Sequence, residues 1–144
     1  MKEKKLRKKL IDSKIMKLRV SLDFIEENLP KEYEDFDNKI IKNAIYKETE
    51  YAIELVMDFF SIINSDLRLG MPNEDADIIE NFEKNQIFSK DLLKTAKEMK
   101  KFRNILVHKY GDINDEEAYE NIKEGLSDFE KIIKEAEDFL IAHR

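Results

Sequence analysis

The stretch Phe102 to Asp112 reads F-R-N-I-L-V-H-K-Y-G-D and brings together Arg103, His108 and Tyr110, of which the first two can work on a phosphate chain. A histidine titrates near neutral pH and can take or give a proton. An arginine keeps its charge and can stabilise the negative charge that builds on a phosphoryl group. Together they suit cleavage of RNA without a metal. The imidazole would help a 2′-hydroxyl attack the adjacent phosphorus, or protonate the leaving oxygen, while the guanidinium holds the phosphorane-like charge. The competing readings are structural: a histidine after a helix is more often structural than catalytic, and Tyr110 could pack at a helix end.

Geometry sets a condition on this chemistry. Five residues along an ideal helix turn the side chain by about 140°. Arg103 and His108 therefore cannot share one face of a straight helix. Either the helix unwinds before His108, or a second copy of the chain completes the site. A two-fold dimer joining both motifs would bring two arginines and two histidines to one cleft.

Helical patterns place the motif. Ile11, Ile15, Leu18, Leu22, Ile25 and Leu29 form a stripe that predicts a first helix from about Lys5 to Leu29, stopped by Pro30. The polar first turns, rich in lysine and arginine, are expected to project as a basic arm. Residues 31–36 read as a connection, with Asp35 or Asp37 capping a second helix that runs to about Leu69 and ends at Gly70-Met71-Pro72.

The middle of that second helix, Tyr51 to Ile63, is apolar nearly all round, with Glu54, Asp58 and Ser61 as one narrow polar stripe. Such a helix is surrounded by partners. Asn73 is expected to cap a short helix over residues 74–85, Ile87-Phe88 to plug the core, and Ser89 to cap a third long helix over residues 90–107. Leu92, Ala96, Met99 and Leu106 are its buried stripe, and Arg103 falls on the same face. A charge there needs a partner, for which Glu54 and Asp58 are the candidates; a carboxylate so placed could also orient a catalytic arginine.

Gly111 is read as the end of that helix, and Asn114-Asp115-Glu116-Glu117 as the cap of a last one. Tyr119, Ile122, Leu126, Phe129, Ile133, Ala136 and Leu140 form its stripe. No alternating strand pattern or internal repeat appears. The expected fold is all-α, a single domain over residues 1–144 built as an antiparallel bundle of four long helices plus one short helix.

Composition narrows the classes. Of 144 residues, 40% are charged and none is cysteine, which removes disulfides and thiolate metal sites and fits a reducing interior. There is no apolar run of spanning length and no signal-peptide pattern, so the expectation is a cytoplasmic protein with no membrane role. The net charge is −6, yet residues 1–19 carry nine Lys/Arg against Glu3 and Asp12, and residues 90–109 carry seven against Asp91 and Glu98. Local charge is what meets a phosphate chain, so RNA stays open as a partner. The bland alternative is two solvated lysine-rich faces. Glu-x-x-His pairs of di-iron bundles are absent, since Ile105 and Leu140 stand three before His108 and His143. A phosphate-cradling glycine loop is also absent, and no metal or cofactor is expected. His143 reads as surface.

The segment F-R-N-I-L-V-H-K-Y-G-D-I resembles the signature of HepT-type proteins of the HEPN (higher eukaryote and prokaryote nucleotide-binding) superfamily. The family pattern is Arg, four residues, His, one residue, Tyr, which Arg103, His108 and Tyr110 match in full. Asn104 matches the polar residue common after the arginine. The A-I-E-L-V-M-D stretch resembles the family's second helix, with Glu54 and Asp58 at its acidic positions. The resemblance covers nearly the whole chain. It implies a HEPN-like helical homodimer with a composite cleft and metal-independent endoribonuclease activity, acting as the toxin of a type VII HepT–MntA toxin–antitoxin pair. It also implies an MntA-like minimal nucleotidyltransferase antitoxin that neutralises the toxin by transferring AMP from ATP onto Tyr110. Two other readings stay open: a non-catalytic helical adaptor that binds a nucleotidyltransferase or a nucleotide, and a plain dimeric scaffold.

Overall fold

The computed structural model describes residues 5–143, with Tyr110 described by its backbone alone. Among the described residues the chain forms α1 (Lys8–Asn28), α2 (Tyr33–Phe36), α3 (Lys39–Asp66), α4 (Asp75–Lys84), α5 (Lys90–His108), a 3-10 turn (Tyr110–Asp112) and α6 (Asp115–Ala142), with no strand. Among the described residues, no helix is long and apolar enough to cross a membrane.

The apolar stripes become the core. On α1, Ile11, Ile15, Leu18, Leu22 and Ile25 are buried, and the helix lies antiparallel along α3. Arg7 binds Asp66 at one end of that pair, Lys14 meets Asp58, and Ser21 bonds Glu48 towards the other. The central helix α3 buries Ile45, Ile53, Val56, Phe59, Phe60 and Ile63 on several sides and touches α1, α4 and α5. Its open stripe carries Tyr51, Asp58 and Ser61, with Glu54 half-buried. Nearly all-round burial is what an almost wholly apolar helix requires. The buried polar residues Ser21, Thr49 and Asn64 each have a hydrogen-bond partner.

Several local expectations change. The basic arm is not free where it is described: Leu6 is buried, and Arg7 gives both its backbone N–H and its Nε to the Asp66 carboxylate at 2.8 Å. Residues 1–4 lie outside the described residues. The 31–36 connection contains the one-turn helix α2, which drives Phe36 into a cluster with Tyr33, Tyr46 and Tyr119. Asn38, rather than Asp35 or Asp37, caps α3, accepting from the N–H groups of Ile40 and Ile41.

The end of α3 also differs from the expected Leu69. The helix closes at Asp66, because Arg68 takes a left-handed conformation (φ 54°) and the Leu69 N–H reaches back to the Asn64 carbonyl. That six-to-one bond is a helix-ending device usually built on glycine. Gln86 (φ 54°) ends α4 in the same way, with the Ile87 N–H on the Phe82 carbonyl. Glu74, not Asn73, is the N-cap of α4.

The expected plug is present. Phe88 (φ 69°) stacks on Phe60, meets Phe82 edge-on and touches Phe139, so one side chain joins α3, α4 and α6. A bulky residue at positive φ is held only where surrounding packing fixes it. Ser89 follows and caps α5.

Candidate functional site

The motif occupies the last turns of α5. Ser89 fixes the start of this helix: its Oγ accepts from the Leu92 N–H, and both its backbone N–H and its hydroxyl donate to the Glu135 carboxylate on α6. From that start the helical period turns Leu92, Ala96, Met99 and Leu106 into the core, as their spacing predicted. The same period brings Arg103 inward, where its side chain retains only 19% exposure.

The partner of Arg103 is neither of those expected. Its Nη1 donates to Oδ2 of Asp75 at 3.2 Å, and its Nη2 donates to Oδ1 of Asn104 at 3.3 Å. Asp75 lies in the first turn of α4, where a carboxylate also suits the positive end of the helix dipole. Asp58 is instead drawn to α1, 3.4 Å from Lys14. Glu54 makes no ion pair with Arg103 but feels its charge. Burial pushes the Glu54 carboxyl above its usual range, Glu50 adds to this, and Arg103 pulls in the opposite direction. Sequence reasoning missed Asp75. It sits in the acidic run Glu74-Asp75-Ala76-Asp77, which reads as helix capping and gives no hint of a contact 28 residues away.

Two hydrogen-bond systems set Asp75 in place. Oδ2 of Asp77 accepts from the backbone N–H groups of Asn73 and Glu74, which fixes the chain just before α4. Farther along α4, Asn81 donates to Oδ1 of the buried Asn64 on α3, and Asn64 donates to the Gly70 carbonyl in the intervening turn. An ion pair between Glu83 and Lys97 then ties α4 to α5.

His108 is exposed and is the last residue of α5, with the helix intact through it. The unwinding alternative is thereby removed. Lys109 caps the helix with its N–H on the Ile105 carbonyl, and the 3-10 turn follows, closed by the Asp112 N–H on the Lys109 carbonyl. Gly111 lies inside that turn without a left-handed φ, so it does not end α5 as expected. The Tyr110 backbone opens this turn; the expectation for its side chain lies outside what is described. Ile105 and Val107 beside the motif are 40% and 44% exposed. His143 caps the end of α6, its Nδ1 2.9 Å from the Phe139 carbonyl oxygen, and is exposed.

Just past the motif, Asp115 joins the start of α6 to the start of α3. Its carboxylate accepts from Lys42 Nζ at 2.8 Å and from the Tyr46 hydroxyl at 2.6 Å. A cavity of about 300 Å³ between α1, α3, α5 and α6 is lined by Phe102 at the start of the motif. Among the described residues, no group of three or more His, Asp or Glu side chains is arranged to hold a metal ion.

Comparison with known proteins agrees with this architecture. The chain is 26% identical over 93 residues to the mRNA nuclease HepT of Shewanella oneidensis, a span covering 65% of this chain and 70% of that protein. Its fold superposes on the tri-AMPylated Shewanella oneidensis HEPN toxin in complex with MNT antitoxin with a TM-score of 0.81, at 22% identity, covering 89% of this chain and 96% of the other. YutE from Bacillus subtilis, a cytosolic protein of unknown function, has the same fold at a TM-score of 0.78 and 16% identity, covering 94% of this chain and 91% of its own. The family described as Ribonuclease HepT-like matches residues 18–136, a span that includes the central helix, Asp75 and the whole Arg103–Tyr110 motif. This chain belongs to the HepT-like ribonuclease family.

Proposed function

We propose that the protein is a metal-independent endoribonuclease, the toxin of a two-component system whose antitoxin is an MntA-like nucleotidyltransferase. The observation that carries this reading is the match to the ribonuclease family across the segment holding Arg103, His108 and Tyr110. In the proposed reaction the 2′-oxygen of a ribose bonds to the adjacent phosphorus and loses its proton, while the bond to the 5′-oxygen breaks and that oxygen gains one. His108 handles a proton in this exchange. Arg103 stabilises the charge on the non-bridging oxygens, and Asn104 and Glu54 support the guanidinium's surroundings. Asp58, bound to Lys14, contributes to the acidic stripe of α3.

The working unit is a homodimer. Arg103 and His108 leave one straight helix in different directions, and apolar Ile105 and Val107 lie open beside them. A second copy facing the motif would cover that apolar surface and complete the cleft. The lysine-rich residues 1–19 and 90–109 supply the attraction for RNA that the acidic body lacks.

Control falls on Tyr110. The phenol oxygen attacks the α-phosphorus of ATP on the partner enzyme, pyrophosphate leaves, and the adenylyl group stays on Tyr110. A bulky anion two residues from His108 would block the cleft and repel RNA phosphates. The setting is the cytoplasm, where RNA and ATP are present. The testing experiment is cleavage of labelled RNA by protein whose intact mass shows Tyr110 unmodified, with chelator present, beside His108→Ala. Cutting by the wild type alone supports the reading; equal cutting by both moves the activity to another site or to a contaminant.

A further inference from the structure

Arg103 is held by a residue that lies outside the motif. Of the five N–H donors of a guanidinium, one goes to Asp75 and one to Asn104 among the described residues, and a phosphate oxygen would be met by the others. Asn104 is the adjacent residue on the same helix. Asp75 comes from a different element, and that element is anchored by its own bonds to α3, to the 67–74 turn and to α5. The direction of the guanidinium is thus tied to the placement of α4.

The geometry points to Asp75 as the positioning residue for Arg103: its carboxylate aims the guanidinium at the surface where an RNA phosphate is bound. This rests on the ribonuclease reading above and deepens it, because it makes the start of α4 part of the machinery. An arginine side chain has several rotatable bonds, and an unheld one would sample many directions. A charge-assisted bond to a carboxylate carried on an anchored helix restricts that freedom before substrate arrives. A carboxylate at this place also keeps the inward-facing charge from standing unpaired.

A positioning role and a merely structural role predict different results. The test uses the full chain with Asp75→Asn and Asp75→Glu, and reads RNA cleavage together with the NMR signal of the Arg103 Nε–H. Asp75→Asn is expected to lower kcat about tenfold or more while KM stays within about twofold, and to broaden or shift the Arg103 signal. Asp75→Glu, which restores a carboxylate, should recover most of both. In the Arg103→Lys background Asp75→Asn should add little, since residues acting as one unit are non-additive.

An Asp75→Asn protein with the wild-type rate and an unmoved Arg103 signal overturns the proposal. So does a full Asp75→Asn loss that persists in the Arg103→Lys background. If unmodified wild type cuts no RNA at all, the nuclease reading fails instead, and the Arg103 signal still decides whether Asp75 orders the guanidinium.

Discussion

Arg103 and His108 stand on one unbroken helix, the first turned inward to Asp75 and the second exposed at the helix end. An intact helix turns them about 140° apart and raises His108 about 7.5 Å along the axis. One chain therefore presents an oriented arginine and an exposed histidine in different directions. The consequence is a complementation experiment. Arg103→Ala and His108→Ala proteins, each inactive alone, should regain activity when unfolded and refolded together. If the composite cleft holds two Arg–His pairs, each taking Arg103 from one subunit and His108 from the other, half of the dimers are mixed and each has one intact pair, so roughly a quarter of the wild-type activity returns. No recovery, with mixed dimers shown to form, would place both residues of a working pair on the same subunit.

Because His108 is exposed at the end of α5, His108→Ala should separate chemistry from folding. Cleavage should fall at least about a hundredfold, the usual loss for an acid or base group. Stability should move by no more than about 0.5 kcal/mol, as for other surface substitutions. Denaturant unfolding alongside the cleavage assay checks both. A variant that loses stability in proportion to activity would mark His108 as structural.

The long helices were legible because their stripes are long. Ile11 to Ile25, Leu92 to Leu106 and Tyr119 to Leu140 each repeat the helical period enough times to fix which face is buried, and those faces are the core. The short pieces were not. Tyr33–Phe36 is a single turn and shows no period, although burial of Phe36 makes it a core element. The ends of α3 and α4 were misplaced or unmarked because Arg68 and Gln86 take left-handed positions where glycine is the usual signal. At the site, the motif and the inward turn of Arg103 could be read from spacing. Its partner could not: Glu54 and Asp58 were nearer by helix pattern, but Lys14 claims Asp58, and the turn after α3 brings Asp75 to the guanidinium.

Glu54 gives a pH-dependent prediction. Burial and the neighbouring Glu50 raise its carboxyl above the unfolded value of 4.5, with Arg103 only partly opposing. The folded state then holds this proton more tightly than the unfolded state. Stability from this group is lost as pH rises through the window above 4.5. Glu54→Gln should remove that decline, leaving the variant at least as stable as wild type at pH 7 and with a flatter stability profile above pH 4.5. Melting at several pH values decides this; a variant less stable at pH 7 would show that the carboxylate is favourably held.

Asp115 shows the opposite sign and bears on where the motif ends. Burial alone would raise its carboxyl, but hydrogen bonds from Lys42 and Tyr46, with the lysine's charge, outweigh it and hold the group below 3.8. Its contribution is thus complete above pH 3.8 and is lost as pH falls through the lower folded value. These bonds fasten the first residue of α6 to α3 just after the turn that carries Tyr110. Asp115→Ala should cost about 1–3 kcal/mol at neutral pH, as expected when a charge-assisted pair loses one member, and should flatten the acid limb of the stability curve. The loss should reach function as well. With the start of α6 unfastened, the turn after His108 is less fixed, so both RNA cleavage and modification of Tyr110 should slow at temperatures where the variant is still folded. Cleavage and adenylyl transfer at wild-type rates in a folded but destabilised Asp115→Ala protein would confine the Lys42–Asp115–Tyr46 group to stability alone.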